Sequence, residues 1–178
     1  VANIQFHFFP SFVINHGLEE PDRHGYQLHA SPNHPKSRGE ITLNSSDPYD
    51  YPKILFNYLK EEEDLKQTRE CIHVARKILS QPALAEHAGD EVGPGFDAQS
   101  DDELNEYIRS KADTAYHPCG TCKMGVDDMA VVDQDLKVNG IGNLRVIDAS
   151  VIPEIPSANL NAPTLMIAEK GSEAILNN

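Results

Sequence analysis

The chain has 178 residues, 15 Lys+Arg against 28 Asp+Glu, a formal net charge of −13 and 39% apolar residues. That length suits one ordinary domain, or a domain plus a tail, with enough apolar content for a core. The acidic balance excludes a Lys/Arg footprint for nucleic acid, and no apolar run approaches the roughly 18–20 residues of a membrane span.

The same acidity is compatible with a cationic small-molecule substrate, which it would attract. No signal-peptide pattern opens the chain. It begins at Val1 without an initiator Met, which leads us to expect a piece of something longer. Cys71, Cys119 and Cys122 are too few and too uneven for a secreted disulfide framework, so a reducing, cytoplasmic setting is expected.

Ile4, Phe6 and Phe8 alternate with Asn3, Gln5 and His7, the period of a half-buried strand. Gly25–His29 reads as a second strand. The turn Ser37-Arg38-Gly39 precedes a third alternating stretch, Glu40–Asn44, and Asp47-Pro48 and Tyr51-Pro52 punctuate a loop. Short strands at this spacing predict an antiparallel sheet. The period then changes. Leu65, Ile72, Ala75, Ile78 and Leu79 share one face of a helix from about Glu61 to Ser80, and the acids Glu61–Asp64 form its solvated, dipole-favoured first turn. After a Gly/Pro-rich connector (89–95), Ser100-Asp101-Asp102-Glu103 is a capping box that starts a helix running to about Ala112, with Leu104, Tyr107 and Ile108 inward. Val131–Asp133 and Leu144–Asp148 read as short strands. A Pro/Asn-rich loop spans 150–163, and a last helix runs from about Pro163 to Leu176.

Three segments could carry chemistry. Tyr116-His117-Pro118-Cys119-Gly120-Thr121-Cys122 places a CxxC beside a His. It lacks the strand–helix context of thioredoxin chemistry, the four ligands of a structural zinc and the upstream His-x-Glu of a zinc deaminase. No metal site is assigned, although a small Cys/His metal protein stays open as an alternative. Asp148-Ala149-Ser150 ends a strand, a place where ligands are often met. Asn159-Leu160-Asn161-Ala162-Pro163-Thr164 opens the last helix with ordinary cap chemistry, and the same helix start can face an anion.

Together, His-Pro-x-Gly-Thr-x-x-Met-Gly, Leu-Arg-Val-x-Asp-Ala-Ser and Asn-x-Asn-Ala-Pro-Thr resemble, in order and spacing, the C-terminal region of the glucose–methanol–choline oxidoreductases, FAD-dependent enzymes that oxidise alcohols. The strand Gln5–Phe9, the Ser37-Arg38-Gly39 turn and Ile54–Tyr58 extend the likeness to the choline-oxidising branch.

The resemblance implies an α+β fold, an antiparallel sheet packed by helices. Residues 1–113 would form a substrate-binding domain. Residues 114–178 would be an active-site loop and return segments of the flavin domain. It implies His117 as the base for the substrate hydroxyl, apt because its unperturbed pKa lies near working pH. Asn161 would be its partner, holding the substrate oxygen by hydrogen bonding, Asp148, Ala149, Pro163 and Thr164 would contact FAD, and His7 would bind substrate. The family's Gly-x-Gly-x-x-Gly fingerprint does not occur in this sequence. The expected partners are therefore an N-terminal FAD-binding domain and an alcohol such as choline, with peripheral membrane association for electron transfer left open. By itself the chain is expected to hold FAD weakly and turn over no alcohol, with the loop from Ser150 to Asn161 mobile for want of a partner. A non-enzymatic module that keeps the scaffold for binding or assembly is the competing reading.

Overall fold

A computed structural model describes residues 2–14 and 17–177. Among the described residues the fold is α+β, with antiparallel strands and three α-helices. The strands form two two-stranded sheets instead of one larger sheet, and the chain divides into two compact units.

The first unit comprises 1–37 and 58–113. Strand β1, Ile4–Phe9, pairs antiparallel with β2, Gln27–Pro32, from Ile4↔Pro32 to Phe9↔Gln27. β2 therefore lies two to three residues later than alternation alone suggests. Its start is set by where β1 ends, and Pro10 has no N–H to continue the ladder. Helix α1, Glu62–Leu79, packs on β2, and α2, Asp101–Lys111, packs on α1. Leu65, Cys71, Leu104 and Ile108 are buried in these helices. The predicted capping box is present: Ser100 Oγ accepts from Glu103 N–H, and Glu103 Oε2 accepts from Ser100 N–H at 2.9 Å. Arg69 reaches from α1 to Asn105 Oδ1 at 2.7 Å and to Asp101 at 3.2 Å. Arg76 donates to Glu91 and to the carbonyls of Gly95 and Ala98, holding the Gly/Pro-rich connector.

The acidic start of α1 is not uniformly solvated. Glu61, Glu62 and Glu63 are exposed, but Asp64 is 2% exposed. Its carboxylate accepts from Lys36 N–H at 2.6 Å and Ser37 N–H at 2.8 Å. Ser37 Oγ in turn accepts from Glu61 N–H at 3.1 Å. The chain leaving β2 is thus fastened to the first turn of α1. At the other end of the stripe, Ile78 is exposed, against expectation.

The second unit comprises 38–57 and 114–178. Strands β3, Glu40–Thr42, and β4, Lys53–Leu55, pair antiparallel. β3 stops at Thr42 because its partner offers only three residues. A Cβ on Gly39 would lie 2.3 Å from Leu55 O, so only glycine allows this approach. The expected strands at 131–133 and 144–148 reduce to isolated bridges, Met124↔Val132, Val132↔Val138 and Lys137↔Arg145. Asp133 Oδ1 instead caps a turn, accepting from Asp135 and Lys137 N–H. Val132 is still buried, with Val131, Val146 and Ile147 packed against the same core, whereas Leu144 is exposed. Val132, Leu136, Val151, Ile152, Leu160 and Ile167 form one core under helix α3, Asn161–Leu176. The 150–161 loop, expected to be mobile, is anchored at both ends by buried Val151, Ile152 and Leu160. Among the described residues no helix is long and apolar enough to cross a membrane.

Candidate functional site

In the second unit the segment following Thr114 turns sharply. Tyr116 sits in the left-handed region (φ 60), with its N–H donated to Thr114 Oγ1 at 2.9 Å. A non-glycine residue held there costs on the order of 1–3 kcal/mol and is kept only when the surroundings demand it. Here it aims the next residue, His117, at the start of α3. Asn159 Nδ2 lies 2.5 Å from His117 Nε2, and Leu160 N–H approaches Nδ1 at 3.5 Å. Leu160 N–H can only donate, whereas the Asn159 amide can meet Nε2 with its NH₂ or, turned over, with its oxygen, so the roles of the two ring nitrogens follow the tautomer.

His117 lines an open cavity of about 260 Å³ together with Tyr116, Ala149, Leu160, Asn161 and Thr164. Helix α3 begins at its edge. The first helical bond is Thr164 N–H to Leu160 O at 2.9 Å, and the Thr164 hydroxyl donates to the same carbonyl at 2.7 Å. Pro163 has no N–H, a harmless loss in a first turn. No acid sits in that turn, so the positive end of the helix is unquenched.

The structure therefore brings together His117, Ala149, Asn161 and Thr164 from the sequence-derived set. Asp148, beside Ala149, caps a short 3-10 turn, Ala149–Val151, accepting from Ser150 N–H at 2.8 Å. Pro163 lies in the first turn of α3, half-buried. His7 belongs to the first unit, exposed on β1, with Gln5 Nε2 at 2.8 Å from its Nε2. Asn161, in the first helical position, lines the cavity beside His117, and a further amide that the sequence reading did not single out, Asn159 before the helix, is the one in contact with the His117 ring. The signal was present in the Asn-x-Asn motif, but two amides two residues apart cannot be told apart without the helix start.

Cys119 and Cys122 are free thiols. Cys119 packs on the core, and burial pushes its pKa up while Arg38 pulls it down. Among the described residues no group of three or more His, Cys, Asp or Glu is arranged to hold a metal.

Residues 35–168 match the sequence profile of the family described as GMC oxidoreductase. The chain is 49% identical over 97% of its length to an oxygen-dependent choline dehydrogenase of Klebsiella pneumoniae subsp. pneumoniae. It is 48% identical over 99% of its length to the enzyme of that name from Photobacterium profundum. It spans 31% of the length of each. Among solved structures, pyridoxine 4-oxidase from Mesorbium loti superposes with a TM-score of 0.90 at 29% identity, over 99% of this chain and 35% of that one. Formate oxidase of Aspergillus oryzae superposes at 0.82 and 31%, over 89% of this chain and 28% of that one.

Proposed function

This chain belongs to the GMC oxidoreductase family, and from that premise we propose that it forms part of an FAD-dependent alcohol dehydrogenase of the choline type. The carrying observation is the contact of His117 Nε2 with Asn159 at the wall of the 260 Å³ cavity. In this reading residues 1–113 serve the substrate side, while 114–178 complete the flavin side. The remainder of the protein, including the dinucleotide fingerprint, lies outside this sequence.

His117 accepts the proton of the substrate hydroxyl. Asn161, which lines the cavity with His117, holds the hydroxyl oxygen by hydrogen bonding, since an amide donates but does not act as a base, and Asn159 steadies the His117 ring. The residues present suit the polar edge of a flavin. The free N–H groups at the start of α3 meet no acid in that turn, and such a helix end favours negative charge. Ala149, Pro163 and Thr164 would hold that edge, with Asp148 setting the turn that presents Ala149. FAD, when bound, supplies the hydride acceptor. His7 contributes to substrate binding from β1. The acidic surface favours approach of a cationic alcohol such as choline.

In the full-length protein, His117→Ala should lower alcohol oxidation by about 10²–10⁴-fold, the usual contribution of a general base. Unchanged turnover would refute the assignment. Asn161→Ala should also lower turnover, and unchanged turnover would refute its hold on the substrate oxygen. The purified 178-residue chain should hold little flavin by absorbance. A stoichiometric yellow complex would show that it carries a complete site.

A further inference from the structure

A second pair of polar groups lies on the β1–β2 hairpin of the first unit. His7 and His29 are direct partners across the ladder, and both are exposed. Opposed residues of an antiparallel pair hold their Cβ atoms about 4.5–5.5 Å apart and project to the same face. Two imidazoles therefore share one surface patch.

The state of His29 is set by its neighbours. Gln27 is clamped by Val13, its Nε2 donating to Val13 O at 2.8 Å and its Oε1 accepting from Val13 N–H at 3.1 Å. These two bonds define which end of the amide is oxygen. That oxygen also lies 3.3 Å from His29 Nε2. Nε2 must therefore carry the proton, and Nδ1 is left with the bare lone pair. The Phe9 ring lies against the imidazole, centroids 4.7 Å apart, and restricts its rotation. An imidazole with one N–H fixed by a carbonyl and the other nitrogen bare has the orientation of a metal ligand. On the opposite strand Gln5 Nε2 lies 2.8 Å from His7 Nε2, and binding at His7 Nδ1 requires that amide to turn over so that its oxygen accepts from Nε2.

We propose that His7 and His29 form a two-histidine site for a first-row divalent cation that favours imidazole: Cu(II), Ni(II) or Zn(II). Among the described residues no cluster of three or more His, Cys, Asp or Glu surrounds a metal position, so water completes the coordination. The site is open and exchangeable, and Cu(II) binds it most tightly in the usual order of these ions. The inference stands on the hairpin alone. Where His7 also contacts substrate, the cation competes there.

Substoichiometric Cu(II) is added near neutral pH to the full chain with its histidine Cε1–H resonances assigned. His7 and His29 should broaden together, before His24, His34, His73, His87 and His117. Broadening that begins at another histidine, or at only one of the pair, overturns the proposal. Calorimetry with Zn(II) should give one site per chain, weakened about tenfold or more in His29→Ala and in His7→Ala. Gln27→Leu, which frees the ring, should weaken it by about 10–100-fold as outer-shell losses do, and His87→Ala should leave it unchanged. Equal Zn(II) affinity in the wild-type chain and His29→Ala overturns the proposal. If a variant fails to fold, the Cu(II) experiment on the unaltered chain decides.

Discussion

Asp64 offers the sharpest test of how the first unit is held. Its carboxylate is 2% exposed and accepts two main-chain N–H groups, at 2.6 and 2.8 Å, from the chain leaving β2. Hydrogen bonds to a charged acceptor contribute about 1.5–3 kcal/mol each. Asp64→Ala removes both and leaves two donors without their acceptor, for an upper range of about 3–6 kcal/mol. Water entering the space and relaxation of the turn offset part of this, so about 3 kcal/mol is expected. Asp64→Asn keeps the shape but offers one oxygen and turns an NH₂ toward the second donor. It should lose about 2 kcal/mol, the loss of one bond. Urea unfolding followed by circular dichroism reads both changes. With a slope of about 2 kcal/mol/M, the alanine variant should shift the midpoint by about 1.5 M. The Lys36 and Ser37 amides should also lose protection from hydrogen exchange. Glu61→Ala, at an exposed neighbour in the same acidic run, should stay within about 0.5 kcal/mol. If Asp64→Ala behaves like Glu61→Ala, the carboxylate is not the fastening and the reasoning fails.

Ser100→Ala should cost about 1 kcal/mol in the same assay through loss of the cap, and an unchanged midpoint would show that the box adds nothing. Its hydrogen bonds from Ser100 and Gln99 hold Glu103 below the usual carboxylate range, so this contribution is present at neutral pH and lost as pH falls through the depressed value. Glu103→Gln should flatten that acid dependence in urea midpoints measured across acid pH. Cys71, 1% exposed, has its pKa pushed by burial to about 11. The folded chain then binds more protons than the unfolded one above the ordinary thiol value of 9.0. Stability should therefore fall as pH rises from there through about 11. Iodoacetamide should label Cys122 well before Cys71, and equal rates would contradict the burial. Gly39→Ala drives a Cβ to 2.3 Å from Leu55 O and 2.9 Å from Phe56 O, both main chain. It should destabilise by at least the roughly 1–3 kcal/mol of ordinary overpacking, with exchange of the β3–β4 amides rising first.

Features that depend on neighbours within a turn or two were legible in the chain itself. The apolar period and acidic first turn located α1 to within a residue at each end, and the Ser100–Glu103 spacing located α2 and its cap. The spaced motifs around His117, Asp148 and Asn159–Thr164 carried the family. Features decided by what comes to lie beside a segment were not legible. β2 begins where β1 can pair with it, two residues after Gly25. Residues 38–57 cluster with 114–178 and not with the strands before them. Asp64 reads as one of four solvated acids until the turn at 36–37 folds onto it. Asn159 and Asn161 are equivalent amides in the motif. The start of α3 separates them, because a side chain in the first helical turn and one two residues before it leave the backbone in different directions. Local propensity is written residue by residue, whereas pairing, burial and the meeting of His117 with Asn159, 42 positions apart, exist only once the chain has closed on itself.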